Sequence, residues 1–260
     1  MEPFVRLVWK SLEDQNKYSD KIRRAASVYS KVEMLTFLKG WRKVITFHMS
    51  PDTMDRDLEF LSRHDLVFIP IRRSKMYSGF SHKHITPRPG DPYFIYGVVS
   101  RREDMEYARM FKECSVGPRV DHETIGKLLG YPECCIDFFT SVWGKVVDPI
   151  YEAYGPEAEI HPACNQALRY FGLRMTPHLC CSPKCERTIE MGKRWFRLMK
   201  EVDEAGAKSL LELLSMPFRW DCLKGVAIID TPIFKGVTNS DLTHKRKVVI
   251  NRGWHEKWKI

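Results

Sequence analysis

Four of the eight cysteines in this 260-residue chain fall into two short motifs. Cys134 and Cys135 are adjacent in Gly130-Tyr-Pro-Glu-Cys-Cys-Ile-Asp-Phe-Phe, and Cys181 and Cys185 lie in His178-Leu-Cys-Cys-Ser-Pro-Lys-Cys-Glu. Thiolates are soft metal ligands and redox groups, so this pattern points to a metal centre or to thiol chemistry. The Cys181–Cys185 spacing suits structural zinc, whose paired thiols are separated by two to four residues. Adjacent residues on a helix, however, differ in direction by roughly 100°, so Cys134 and Cys135 are expected to reach separate corners of a larger object. A [4Fe–4S] cluster offers four irons to four thiolates and is the expected cofactor, with zinc as the alternative. A metal-free thiol–disulfide protein, including a vicinal Cys134–Cys135 disulfide, is the third reading.

Cys180 and His178 flank the second pair, and either could substitute for one of the four thiols. With three cysteine ligands, one iron would stay open to substrate as a Lewis acid or sulfur carrier. His178 is then a candidate proton donor, since imidazole titrates near neutral pH. Asn165 is the second catalytic candidate, expected with Arg169 on a helix that precedes the site and orients a substrate. Cys114, Cys164 and Cys222 stand singly beside apolar neighbours and read as small core residues.

Two helix starts must position the ligands. Pro132 fits the first helical position, which places Cys134 and Cys135 third and fourth. Ser182 and Pro183 read as the cap and first residue of a helix to about Glu204, followed by a second helix over Ala207–Leu214. Helix N-termini lower thiol pKa values through their free N–H groups and positive dipole end. Upstream, residues 44–48, 66–71 and 93–99 are β-branched and aromatic runs, with helical patterns over 52–63 and 104–114 between and after them. Residues 121–129 form another helix, stopped by Gly130. The carboxyl-terminal third returns to strand-like runs, and Trp220 reads as a core anchor.

The fold class expected is α/β or α+β. A small α/β layer over residues 1–118 precedes a mainly helical cysteine-bearing region over 119–260, unless the two fold as one compact domain. Apolar residues make up 43% of the chain, enough for a packed core and too many for disorder. The amino terminus carries Glu2 and no apolar run, and no stretch is long enough to span a bilayer, so a cytoplasmic protein with no membrane partner is expected. The formal charge of +9 suits an anionic partner such as RNA. An electron donor would serve the redox reading. The cations fall in groups: Lys21, Arg23 and Arg24; Arg72, Arg73 and Lys75; Lys245, Arg246 and Lys247. The tail, with Arg252, Trp254, Lys257, Trp258 and Lys259, interleaves aromatics with cations as single-strand binders do. Ser74–Pro92, with Gly79, His82 and His84, reads as a connector or a substrate-binding loop.

The segment Ile125-Gly-Lys-Leu-Leu-Gly-Tyr-Pro-Glu-Cys-Cys-Ile-Asp-Phe-Phe and the later His178-Leu-Cys-Cys-Ser-Pro-Lys-Cys-Glu resemble the DUF483 family of prokaryotic, largely archaeal proteins. The resemblance covers roughly Phe94 to Phe234, and Gly-Tyr-Pro-x-Cys-Cys is its most specific part. In that family the second motif is typically His-x-Pro-Cys-Ser-x-x-Cys. This implies Cys181 and Cys185 as the matching thiols and places Cys180 where a proline is usual. The family implies a site without naming a reaction. The ligand arrangement is also similar to that of tRNA-modifying reductases and desulfidases, which hold an iron–sulfur cluster by a Cys-Cys pair and a second cysteine group. Redox or sulfur-transfer catalysis is the corresponding expectation.

Overall fold

A computed structural model describes residues 4–75, 85–145, 149–239 and 246–254. Its elements are, in chain order, β1 (Val5–Trp9), α1 (Leu12–Leu38), β2 (Ile45–Met49), α2 (Met54–Arg63), β3 (Leu66–Lys75), β4 (Tyr93–Arg101), α3 (Met105–Val116) and α4 (His122–Leu128). There follow α5 (Glu133–Val142), α6 (Pro149–Tyr154), β5 (Glu157–Ala158), α7 (Glu186–Ser215), β6 (Phe218–Leu223), β7 (Val226–Asp230), β8 (Phe234–Asn239) and β9 (Lys247–Asn251). The sheets are almost wholly antiparallel, so the fold is α+β. Among the described residues two compact units are present: one holds residues 4–33, 138–145, 149–239 and 246–254, the other 34–75 and 85–137. The division falls inside α1 and inside α5, which run through both.

The smaller unit is built on a three-stranded sheet in the order β2-β4-β3. Both faces are covered, which is why its strands read as apolar runs rather than as alternating ones. On one face Ile45, Met49, Leu66 and Val99 pack with Phe37 and Leu61. On the other, Val44 and Val98 pack with Ala108 and Phe111 of α3 and Leu128 of α4. The Ser50 side chain caps the turn that leads into α2, and Asp121 Oδ1 accepts from Thr124 N at 3.0 Å to open α4. Gly130 has φ +71°, the left-handed conformation that stops α4 and turns the chain toward α5.

The larger unit is a six-stranded sheet in the order β1-β8-β7-β6-β9-β5, parallel only between β5 and β9. The amino-terminal strand therefore belongs to the carboxyl-terminal sheet, through β1–β8 pairing. Trp220, Cys222, Ala227 and Ile229 alternate inward and are fully buried. The anticipated break in the long carboxyl-terminal helix is a kink: Asp203 has extended backbone angles inside α7. Its Oδ1 accepts from Gly206 N at 3.0 Å and caps the second half. Its carboxylate also takes two hydrogen bonds from Arg24, each 2.6 Å.

Three features differ from the expectations. Helix α1 is a further element, opened by Ser11, whose Oγ accepts from Asp14 N. Helix α7 begins at Glu186 rather than at Pro183, because Ser182-Pro183-Lys184 is spent on a turn. The segment bearing Asn165 and Arg169 is not one helix but two 3-10 turns, Pro162–Cys164 and Ala167–Phe171, with Asn165 terminating the first. Gly79, His82, His84, Lys245, Lys257, Trp258 and Lys259 lie outside the described residues.

Candidate metal centre

The first cysteine motif sits at the start of α5. The Pro132 carbonyl accepts from both Cys135 N and Ile136 N, at 2.9 and 3.0 Å, so Pro132 precedes the helix instead of occupying its first position. Cys134 and Cys135 are consequently its second and third residues, one place earlier than expected. Cys135 is buried and Cys134 half-buried.

The second motif precedes α7. Pro183 and Lys184 form the centre of a tight turn, a position for which the fixed φ of proline is suited. The chain then enters the helix through Cys185, whose carbonyl accepts from Ile189 N at 2.9 Å. Pro183 O accepts from His161 N at 3.0 Å, tying the loop to the turn that begins at Pro162. Helix α7 lies close against that turn: a Cβ on Gly192 would stand 2.5 Å from the Ala163 Cβ, so only glycine fits there.

The two motifs come together. The Sγ atoms of Cys134, Cys135, Cys181 and Cys185 all lie within 4.8 Å of one another, and those of the adjacent pair are 3.9 Å apart. Among the described residues this is the one grouping of potential ligands compact enough to hold a metal ion. Cys135 and Cys185 are buried, while Cys134 and Cys181 are half-buried. Cys134 and Cys135 lie in the first turn of α5 and Cys185 at the cap of α7, while Cys181 stands in the loop four residues before that cap. A four-cysteine set of this compactness can bind a metal.

The other candidates stand outside the four-sulfur group. Cys180 is outside the group. It is buried, its thiol lies 3.2 Å from the Cys164 carbonyl, and burial beside the Cys164 thiol raises its pKa well above the ordinary thiol range. His178 is buried, with Nε2 hydrogen-bonded to Thr188 Oγ1 at 2.9 Å in the first turn of α7. Asn165 is fully buried and donates from Nδ2 to the Leu214 carbonyl at 2.8 Å. Of the three expected core thiols, Cys164 and Cys222 are buried and Cys114 is half-buried.

Sequence reasoning missed the polar network behind the second motif. The Tyr154 hydroxyl donates to the Cys164 carbonyl and accepts from Gln166 N at 2.7 Å. Gln166 Nε2 reaches Thr176 Oγ1 at 3.3 Å, and that hydroxyl donates to the Ala163 carbonyl at 3.0 Å. Burial pushes the Tyr154 phenol far above its usual pKa, so it stays protonated. The clue was the density of polar residues in 161–178 within otherwise apolar surroundings, but partners at such separations follow no local rule.

Many cations of the named basic groups are paired with carboxylates: Lys21 with Glu212, Arg24 with Asp203, Lys75 with Asp91, Arg246 with Asp221 and Lys247 with Glu152. Trp254 meets the His161 ring edge-on at 4.8 Å and carries Lys184 Nζ over its face. No helix among the described residues is long and apolar enough to cross a membrane. No family model, curated protein or solved structure matches the chain, so the resemblance to the DUF483 family rests on the two cysteine motifs.

Proposed function

We propose that Cys134, Cys135, Cys181 and Cys185 hold one tetrahedral metal ion of the zinc class, in a closed structural centre of a protein that binds an anionic partner such as RNA. The observation that carries this reading is the sulfur spacing. Four thiolates about 2.3 Å from one zinc lie about 3.8 Å from each other. A [4Fe–4S] cluster keeps its thiolates on separate irons and spreads them to on the order of 6 Å. The 3.9 Å between Cys134 and Cys135, and the 4.8 Å limit on the whole set, fall near the first figure. Adjacent cysteines thus serve one ion, because the first turn of α5 lets both side chains converge.

A centre filled by four protein thiolates leaves no position for substrate, which is the arrangement of structural rather than catalytic zinc. Ion binding would then contribute folding free energy, since no such site exists in the unfolded chain. The RNA part of the reading is supported by the net charge of +9.

Anaerobic purification with metal analysis tests it. The expected product is colourless with one zinc per chain. A brown protein absorbing near about 400 nm with about four irons would overturn the single-ion reading in favour of the cluster and of redox or sulfur-transfer chemistry. Metal-free protein with titratable thiols would leave the thiol–disulfide reading. RNA affinity that does not weaken between about 50 and 200 mM salt would remove the phosphate-driven partner.

A further inference from the structure

The four ligand sulfurs are not equivalent toward an oxidant. Cys135 and Cys185 are buried, whereas Cys134 and Cys181 are only half-buried and so within reach of a small solute from solvent. The backbone separates these two accessible thiols further. Cys134 is held in the first turn of α5, while Cys181 stands in the loop four residues before the cap of α7. A thiolate that is accessible and carried by a loop is the one a peroxide oxidises and the one free to move afterwards.

All the sulfur pairs lie within 4.8 Å, so the backbone has to choose among them. Cys134 and Cys135 are a poor pair although their sulfurs are 3.9 Å apart. Consecutive Cα atoms stand about 3.8 Å from each other, short of the about 4.4–6.8 Å that a disulfide spans. Their union would also open the first turn of α5, where Cys135 N donates to the Pro132 carbonyl at 2.9 Å. The same limit removes Cys180 as a partner of Cys181, and the Cys180 thiol is buried, 3.2 Å from the Cys164 carbonyl. Cys181 and Cys185 are joined by the tight turn Ser182-Pro183-Lys184, inside the larger unit. That turn is already formed, so linking its ends removes little further chain entropy. Thiolates that share one zinc stand about 3.8 Å apart and bonded sulfurs about 2.05 Å, so one sulfur must travel about 1.8 Å. Cys185 is fixed by its carbonyl, which accepts from Ile189 N at 2.9 Å, and the loop gives that freedom to Cys181.

We propose that Cys181 and Cys185 are a peroxide-sensitive pair whose oxidation to a disulfide empties the metal centre. The inference rests on the zinc reading given above. The Cys181 sulfur attacks one oxygen of hydrogen peroxide: an S–O bond forms, the O–O bond breaks, and the departing hydroxide takes a proton from solvent to leave as water. The Cys185 thiolate then attacks the resulting sulfenic sulfur. An S–S bond forms, the S–O bond breaks, and a second hydroxide leaves and is protonated by solvent. One electron from each sulfur has reduced the peroxide to two waters. Only Cys134 and Cys135 remain as ligands, too few for a tetrahedral structural ion, and the metal departs.

The test uses the full chain, purified anaerobically, with its zinc content measured first. It is treated with about one equivalent of hydrogen peroxide beside a chromogenic zinc chelator, with a peroxide-free control, and free thiols are then alkylated and the peptides mapped by mass spectrometry. Most of the zinc should be released, Cys181 should be found linked to Cys185, and Cys134 and Cys135 should be alkylated. Dithiothreitol with added zinc should restore the metal content. Cys180→Ala, which leaves the four ligands in place, should show the same release and the same pairing. Retention of more than about nine-tenths of the zinc under about ten equivalents of peroxide overturns the proposal. A disulfide that includes Cys134, Cys135, Cys164 or Cys180, sulfinic acid without a disulfide, or loss of the pairing in Cys180→Ala overturns it equally. The zinc content measured beforehand tests the metal reading by itself: a chain isolated without zinc sinks that reading and the release step with it, whereas a zinc-loaded chain that keeps its metal sinks only the inference drawn here.

Discussion

The Cys180 thiol faces the Cys164 carbonyl oxygen at 3.2 Å, while its chain neighbour Cys181 contributes its sulfur to the four-cysteine group. Adjacent cysteines here have opposite assignments, one to the polar interior and one to the ligand cluster. In α5, by contrast, the adjacent Cys134 and Cys135 point their sulfurs to the same place.

Single-cysteine variants should reproduce this division. Cys180→Ala is expected to keep full metal content, whereas Cys181→Ala and Cys185→Ala should each lose most of it, measured as metal per chain after gel filtration. Loss of metal from Cys180→Ala would show that this thiol substitutes as a ligand and that the four-sulfur assignment is wrong.

If the ion is structural, it should also govern stability. Chelation should lower the melting temperature, and returned zinc should raise it with a concentration dependence, because a ligand that binds only the folded state stabilises by mass action. At about 100-fold excess over the dissociation constant the gain is about 2.7 kcal/mol. A melting curve indifferent to both treatments would remove the structural role.

The cysteine centre was legible in the sequence because ligand chemistry leaves sharp marks: two short motifs, each next to a proline and a helical pattern. What escaped was whatever depends on long separations. The 3.9 Å approach of the Cys134 and Cys135 sulfurs was not readable from their divergence along an ideal helix, because side chains at a helix start have freedom to converge. The pairing of β1 with β8, joining Val5 to Thr238, cannot be read locally. Helix α1 was in fact legible: Tyr18, Ala25, Tyr29, Val32 and Thr36 are buried at helical spacing, behind a Ser11 cap. Its charged remaining positions obscure that stripe. The bulge in β3, which sets Arg72 opposite Tyr96, leaves no mark in an apolar run such as Leu66–Ile71.

Asn165 should prove structural. Leu214 is in the last turn of α7, where carbonyls lack an intrahelical partner, and the Asn165 amide supplies one at 2.8 Å inside the protein. Asn165→Ala should destabilise the fold by about 1–3 kcal/mol in denaturant titration, leaving metal content unchanged. Asn165→Asp should be at least as damaging at neutral pH, since a carboxylate has no proton to donate to Leu214. Unaltered stability in both variants would return Asn165 to the list of substrate-orienting candidates.

The Arg24–Asp203 pair gives a pH signature of known sign. Hydrogen bonds from Arg24, with a further one from Gly206 N and the nearby positive charge, lower the Asp203 pKa from 3.8 to about 2. A carboxyl that ionises more readily in the folded state stabilises it fully above its unfolded pKa and loses that contribution as pH falls through the folded value. Asp203→Asn keeps an acceptor for Gly206 N and removes the charge that Arg24 meets. The stability gap between the native chain and this variant should therefore be constant above about pH 4 and shrink between about 4 and 2. Because the Arg24 side chain is 56% exposed, the gap at neutral pH should stay within about 1 kcal/mol and narrow further at high salt. Acid also protonates the cysteine ligands, but that loss is common to both chains and cancels in the difference. A gap that widens on acidification would mean that the kink in α7, rather than the ion pair, sets the role of Asp203.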